Sequence, residues 1–332
     1  PCFNTNGLLT GSNTIDTLLN IPLSTGRNRI EIACMNHKGV MSLKEEVVIV
    51  REPVSQTKPD LYLISLAVSE YSDARYNLAY TINDGRGFIG AFTENNTQFA
   101  NIFIDSLFNS RCTRENLEEV AKRLKNTHVD DVVIVHVAGH GLLGEDLEFY
   151  YALSSTDFKH PEKASLQYSQ IEAILADIPS RNKLLLLDAC HSGEVDEAGV
   201  SSVQLSDNAR TRGVTMYQMP ASAPGESNFS LKNSFDLMKE LFVDVRRSTG
   251  AVVISAASGA GYAIERDDLK NGIFTWCLID AITNRNADVD ADGSIVVSEL
   301  RKYIFQHVRE LSEGAQYPTS RQENVSNDFR VW

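Results

Sequence analysis

The sequence has no apolar run long enough to cross a bilayer, and its amino end shows no signal-peptide pattern. It also lacks a dense block of Lys and Arg. Its 31 basic residues stand against 44 acidic ones, for a net charge of -13. A phosphate backbone and a membrane surface are therefore not expected as partners. An acidic surface suits a protein that stays dissolved or that attracts basic substrates. Cysteines are few and odd in number, and no two of Cys2, Cys34, Cys112, Cys190 and Cys277 have metal-ligand spacing. Neither a disulfide framework nor a zinc site is expected. Free thiols in a reducing compartment, hence a cytoplasmic location, are the simpler reading. No internal repeat is present. The chain opens on Pro1 rather than methionine, as expected of a fragment or a processed product.

What is there is an ordinary globular composition, 42% hydrophobic and 23% charged over 332 residues. That length accommodates one large domain and a smaller partner. Residues 1–52 read as hairpin grammar. Arg29 to Cys34 alternates polar and apolar, Asn36-His37-Lys38-Gly39 is a turn, and Glu45 to Val50 resumes as a strand. This is the tail of an Ig-like β-sandwich rather than a whole one. Residues 53–60 read as a linker. From Leu61 to Trp332 strands and helices alternate, with strands expected at 61–68, 101–106, 131–138, 183–188 and 251–257. Helices are expected near 76–93, 114–126, 167–177, 231–245, 272–283 and 298–311. The implied fold class is α/β, a mostly parallel sheet flanked by helices. The polar stretch 194–233 is too long for an ordinary connection and reads as a functional or disordered loop.

Two buried-strand patterns each close on a reactive residue. Asp131 to Ala138 leads into Gly139-His140-Gly141, and Lys183 to Leu187 leads into Asp188-Ala189-Cys190-His191-Ser192-Gly193. Parallel sheets bind ligands outside the carboxyl ends of their strands, where His140 and Cys190 fall. A thiol attacks as thiolate, so it needs an adjacent base or cation. His140, between two glycines, is the better base, and His191 comes second because it directly follows the cysteine. Backbone N–H groups of Gly141 and Cys190 are the natural donors to an oxyanion. Against this stands the plain alternative of a structural histidine and an inert buried thiol.

In those two blocks the sequence resembles the caspase-like cysteine peptidases, closest to the metacaspase and bacterial orthocaspase branch. The fifty-residue separation of His140 and Cys190 matches the caspase spacing. Tyr80-Thr81-Ile82-Asn83-Asp84, Ile254-Ser255-Ala256-Ala257, Asn271-Gly272-Ile273-Phe274-Thr275 and Gln316-Tyr317-Pro318 also resemble family segments. The resemblance implies a caspase-type fold, a Cys–His dyad and peptide hydrolysis through a thioester. It further implies an acidic first pocket, which here falls on Asp84 and Asp188, with Ser255 beside them. Two carboxylates would pair with a guanidinium or ammonium, so cleavage after Arg, then Lys, is expected of a protein or peptide substrate. The competing reading of Asp84 is a helix-surface charge, and of Asp188 an acceptor holding its own turn. Arg210-Thr211-Arg212-Gly213 in the loop after Cys190 is expected to be a self-cleavage site, or else a solvated loop charge.

Asp288 to Glu299 fits a twelve-residue EF-hand loop, with Asp288, Asp290, Asp292, Ser294 and Glu299 as ligands and Gly293 at the sharp turn. Two readings stand. One is a calcium site, although no cofactor is needed for the chemistry. The other is a turn with Ser298 capping the last helix. Two alternatives to an Arg-directed peptidase also stand, one with Asp or Asn specificity and one a non-catalytic interaction module. A regulatory protein partner is compatible with all of them.

Overall fold

The computed structural model describes residues 18, 20–34, 36, 40–52, 58–94, 96–144, 148–176, 178–192, 209–211, 250–257, 263–322 and 327–332. The expected helix at 231–245, Arg212, most of the 194–233 stretch and residues 53–57 lie outside them. An amino-terminal hairpin pairs β1 (Gly26–Ile32) antiparallel with β2 (Glu45–Arg51). Arg181 ties it to the rest, donating to Asn28 Oδ1 at 2.8 Å.

The body of the chain is built on an eight-stranded sheet. Its strands in chain order are β3 (Leu61–Ala67), β4 (Ile102–Phe108), β5 (Val132–Leu143), β6 (Phe149–Tyr151), β7 (Leu166–Gln167), β8 (Asn182–Ser192), β10 (Val252–Ser255) and β13 (Thr319–Arg321). The order across it is β13-β10-β8-β5-β3-β4, with β6 paired to β5 and β7 to β6. Strands β10, β8, β5, β3 and β4 run parallel, and β13 covers the β10 edge antiparallel. A smaller sheet joins β9 (Ala209–Thr211), β11 (Ile264–Arg266) and β12 (Asn271–Gly272).

The helices are α1 (Thr81–Thr93), α2 (Arg114–Leu124), the short α3 (Pro161–Ala164), α4 (Tyr168–Ala176), α5 (Ile273–Thr283) and α6 (Val297–Leu311). They lie on both faces of the sheet. One face packs Leu61, Leu63, Ile134, Leu184 and Ile254 against α1, α5 and α6. The other packs Ile64, Leu66, Val133, Val135 and Leu185 against α2 and α4. Strands covered on both faces read as continuous apolar runs, which is why Leu184 to Leu187 forms a strand despite containing only leucine. Each such burial stabilises the fold by about 1.5–3 kcal/mol. Helix α2 buries Leu117, Val120 and Leu124, at spacings of three and four, and is capped by Thr113, whose side chain accepts from the Asn116 N–H.

The differences from the sequence reading that bear on the site and on the last helix are these. Strands β5 and β8 do not stop before their reactive residues but carry His140 and Cys190 inside them. The two stay paired as far as Leu142 and Ser192, while β6 adds to the extension of β5. Helix α1 begins at Thr81, because Ala74–Tyr76 is a separate 3-10 turn. Ser298 does not cap α6. It lies inside the first turn, and its N–H and hydroxyl donate to Asp328.

Candidate active site

The site is laid out by the register of β5 on β8, in which His140 is opposite Cys190 and Gly141 opposite His191. His140 is almost fully buried. Its Nε2 lies 2.8 Å from the Tyr76 carbonyl. A carbonyl only accepts, so Nε2 carries the proton and, in the neutral ring, Nδ1 carries the lone pair. The backbone N–H of His140 donates to the Tyr71 hydroxyl at 3.3 Å, which in turn donates to the Val68 carbonyl at 3.0 Å. Tyr71 and Phe158 flank the imidazole, with ring centroids 5.1 and 5.6 Å away. Gly139 has φ +153°, and a Cβ there would approach Tyr151 Cε2 to 3.0 Å and the Tyr71 hydroxyl to 3.2 Å. Both the backbone angle and the space therefore call for glycine. Ala152 N donates to His140 O in the ladder to β6, so by alternation the Gly141 N–H turns toward β8. The side chains of Cys190 and His191 lie outside the described residues. Of the other cysteines, Cys112 and Cys277 are buried thiols. Burial pushes Cys112 up to about 12 and, with Asp280 and Asp188 nearby, raises Cys277 further, so neither is a usable thiolate at neutral pH.

Two of the three residues expected to recognise the substrate, Asp84 and Asp188, converge on the start of α5. Asp84 and Asp188 are fully buried. Asp84 Oδ1 accepts from Asn271 Nδ2 at 2.8 Å and from the Gly272 N–H at 3.0 Å. Asp188 Oδ2 accepts from the Thr275 hydroxyl at 2.5 Å and from its N–H at 3.2 Å. Two carboxylates thus share one helix amino terminus, whose N–H groups and dipole favour negative charge. Asp84 is therefore not a helix-surface charge. Ser255 ends β10 opposite Leu187, next to Asp188, and its hydroxyl donates to the Ala257 carbonyl at 3.2 Å.

The family model described as the caspase domain matches residues 64–330. The chain belongs to the caspase-domain family. A crystal structure of a Geobacter sulfurreducens structural-genomics target is similar in fold, with a TM-score of 0.53 and 16% identity over 81% of this chain and 95% of that one. No curated protein matches the chain. Caspase-domain membership supports a cysteine peptidase acting on protein substrates. Among the described residues, no helix is long and apolar enough to cross a membrane.

Other residues singled out in the sequence lie outside β5 and β8. Asp288, Asp290 and Asp292 each offer a carboxylate oxygen, all within 4.8 Å of one another. Three hard oxygen donors so placed fit a calcium ion. Glu299 is otherwise engaged, its oxygens accepting from the Val289 N–H at 3.2 Å and the Val296 N–H at 3.1 Å. Ser294 is buried, and its N–H donates to Asp292 Oδ1. Arg210 is not in a loop. It sits in β9, paired with Glu265 of β11, and its guanidinium is 3.7 Å from Asp267.

The sequence reading missed Tyr71 and Tyr76, which hold His140, and also His136 and Thr275. It also missed Glu265, which is buried and accepts the Ala79 N–H at 3.1 Å. The signal available for His136 was its place inside an otherwise apolar strand.

Proposed function

We propose that the chain is a cysteine endopeptidase that cleaves after Arg, and secondarily after Lys. Cys190 is the nucleophile and His140 the base. The observation that carries this reading is the register of His140 with Cys190 at the carboxyl ends of adjacent parallel strands. The His140 ring is held by the Tyr76 carbonyl so that Nδ1 is its basic nitrogen. In the reaction, Nδ1 takes the thiol proton and the thiolate sulfur bonds to the scissile carbonyl carbon. In this proposal the N–H groups of Gly141 and Cys190 donate to the resulting oxyanion once released from the pairing of β5 with β8. Collapse of that intermediate breaks the C–N bond, and His140 delivers its proton to the leaving amine. A water deprotonated by His140 then hydrolyses the thioester and frees the thiol.

Asp84, Asp188 and Ser255 form the pocket for the basic side chain in this reading. Both carboxylates are buried, so a guanidinium reaches them only when the chain covering them is displaced. Self-cleavage after Arg210 or Arg212, in the segment that follows Cys190, is a further part of this proposal. Calcium held by Asp288, Asp290 and Asp292 is a separate structural or regulatory proposal, with no step of the chemistry routed through it.

The test is a panel of fluorogenic peptides with Arg, Lys, Asp or Asn before the bond, with and without calcium, beside a Cys190→Ala control. Cleavage confined to Arg and Lys and lost in Cys190→Ala is expected. Turnover of Asp or Asn peptides, or none at all, overturns the reading. Mass spectrometry of the same two proteins reports the self-cleavage.

A further inference from the structure

Four buried side chains from separate elements form one hydrogen-bonded chain ending on Asp188. Ser65 on β3 and His136 on β5 are register partners, and Ser65 Oγ lies 3.2 Å from His136 Nδ1. His136 Nε2 lies 3.1 Å from Thr275 Oγ1, and that hydroxyl lies 2.5 Å from Asp188 Oδ2. Ser65, His136, Thr275 and Asp188 are all fully buried.

The last contact fixes the direction of the rest. At 2.5 Å a hydroxyl and a carboxylate oxygen must share a proton, so Thr275 donates to Asp188. Thr275 Oγ1 is then left to accept, and His136 Nε2 must carry the ring proton to supply it. Nδ1 of the neutral ring accepts from the Ser65 hydroxyl. With the opposite tautomer, Nε2 would compete with Asp188 for the single Thr275 proton.

Packing holds the chain in place. His136 stacks on Phe88 of α1 with ring centroids 4.8 Å apart and planes 18° apart. Gly85 lets α1 come this close, because a Cβ there would lie 2.9 Å from Ser65 Oγ. The same helix carries Asp84, so one packed unit fixes both pocket carboxylates relative to the start of α5.

We infer that His136 and Thr275 are positioning residues for basic-side-chain recognition, orienting Asp188 through a one-way hydrogen-bond chain. The inference rests on the reading of Asp188 as part of the pocket for a guanidinium. It assigns these two residues to specificity rather than to thioester chemistry.

The experiment compares otherwise identical peptides carrying Arg or citrulline, its neutral isostere, before the cleaved bond. Wild type is expected to prefer Arg by about 100-fold in kcat/KM, the scale of a charge-assisted bond of about 3 kcal/mol. Thr275→Val keeps the side-chain shape but removes the hydroxyl. It should reduce that preference about 10-fold or more, through KM for the Arg peptide. Citrulline-peptide turnover and the alkylation rate of Cys190 should stay at wild-type values. Thr275→Ser should restore the preference. His136→Leu, which removes only the outer donor, should act like Thr275→Val and makes the same comparison if that variant does not fold. An unchanged Arg preference in both variants, with only thermal stability lowered, overturns the inference while leaving Arg specificity intact. A wild-type enzyme that fails to distinguish Arg from citrulline overturns the pocket reading itself.

Discussion

The Nε2–H of His140 donates to the Tyr76 carbonyl at 2.8 Å, across a sequence separation of 64 residues. That bond selects the ring tautomer and aims the basic nitrogen, with a backbone acceptor in the place where a carboxylate orients the histidine of a Ser-His-Asp triad. Because the acceptor is main chain, the geometry depends on what fixes the segment around Tyr76. Stacking of Tyr76 on Phe158, with centroids 3.9 Å apart, is one such restraint.

Tyr71→Phe tests the second support of His140, the proposed base. The lost hydroxyl is the acceptor for the His140 N–H and the donor to the Val68 carbonyl. A buried N–H left unmatched costs about 1–3 kcal/mol. Thermal denaturation should show that loss, and kcat on the best peptide should fall with little change in KM. Wild-type stability and wild-type kcat together would mean that the hydroxyl does not hold the base.

Gly139→Ala should be more damaging than its one added methyl suggests. The position has φ +153° and has Tyr151 and Tyr71 within 3.2 Å of any Cβ. Strain in such backbone costs about 1–3 kcal/mol. Activity should fall together with stability. Gly90→Ala in α1 is the control, since a Cβ there meets nothing within 4 Å. That variant should gain about 0.5–1 kcal/mol.

Gly139 also marks where the sequence stopped being legible. The apolar runs of β3, β5, β8 and β10 announced a parallel sheet, because strands covered on both faces carry little else. Strict alternation would put His136 and His140 on one face, four residues apart on β5. Instead His136 packs on Phe88 with the α1 cluster, while His140 packs on Tyr71 and Phe158 of the other. The positive φ of Gly139 interrupts the alternation between them, and no pattern of residue types encodes that. The roles of Asp84 and Asp188 were hidden for another reason. Their donors on Asn271, Gly272 and Thr275 come from 87 to 188 residues later, a pairing that only the folded topology creates. Strand β9 was missed because three residues are too few to show a period.

Asp84→Asn separates charge from anchoring. An amide oxygen can still accept from Asn271 and from the Gly272 N–H, so the start of α5 should remain held and the melting temperature should move by only about a few degrees. Removing the charge should lower kcat/KM for an Arg peptide by about 10- to 100-fold. Asp84→Ala should lose both. If Asp84→Asn cleaves Arg peptides like wild type, the carboxylate is a helix anchor and the pocket lies elsewhere.

For the acidic loop, Glu299 decides between calcium and a plain turn. Both its oxygens already bond backbone N–H groups, of Val289 and Val296, and its helix starts at Val297. Calcium bound through Asp288, Asp290 and Asp292 would have to draw at least one of those oxygens away. Glu299→Gln keeps an acceptor for the backbone but gives up the charge that a bidentate ligand needs. Titration calorimetry should therefore detect binding in wild type, weaker binding in Glu299→Gln, and none in Asp290→Ala. Calcium at about 100 times its Kd should stabilise wild type by about 2.7 kcal/mol and raise its melting temperature accordingly. No heat and no thermal shift at millimolar calcium would leave the segment as a turn, closed by the pairing of Ile295 with Val331 and Trp332.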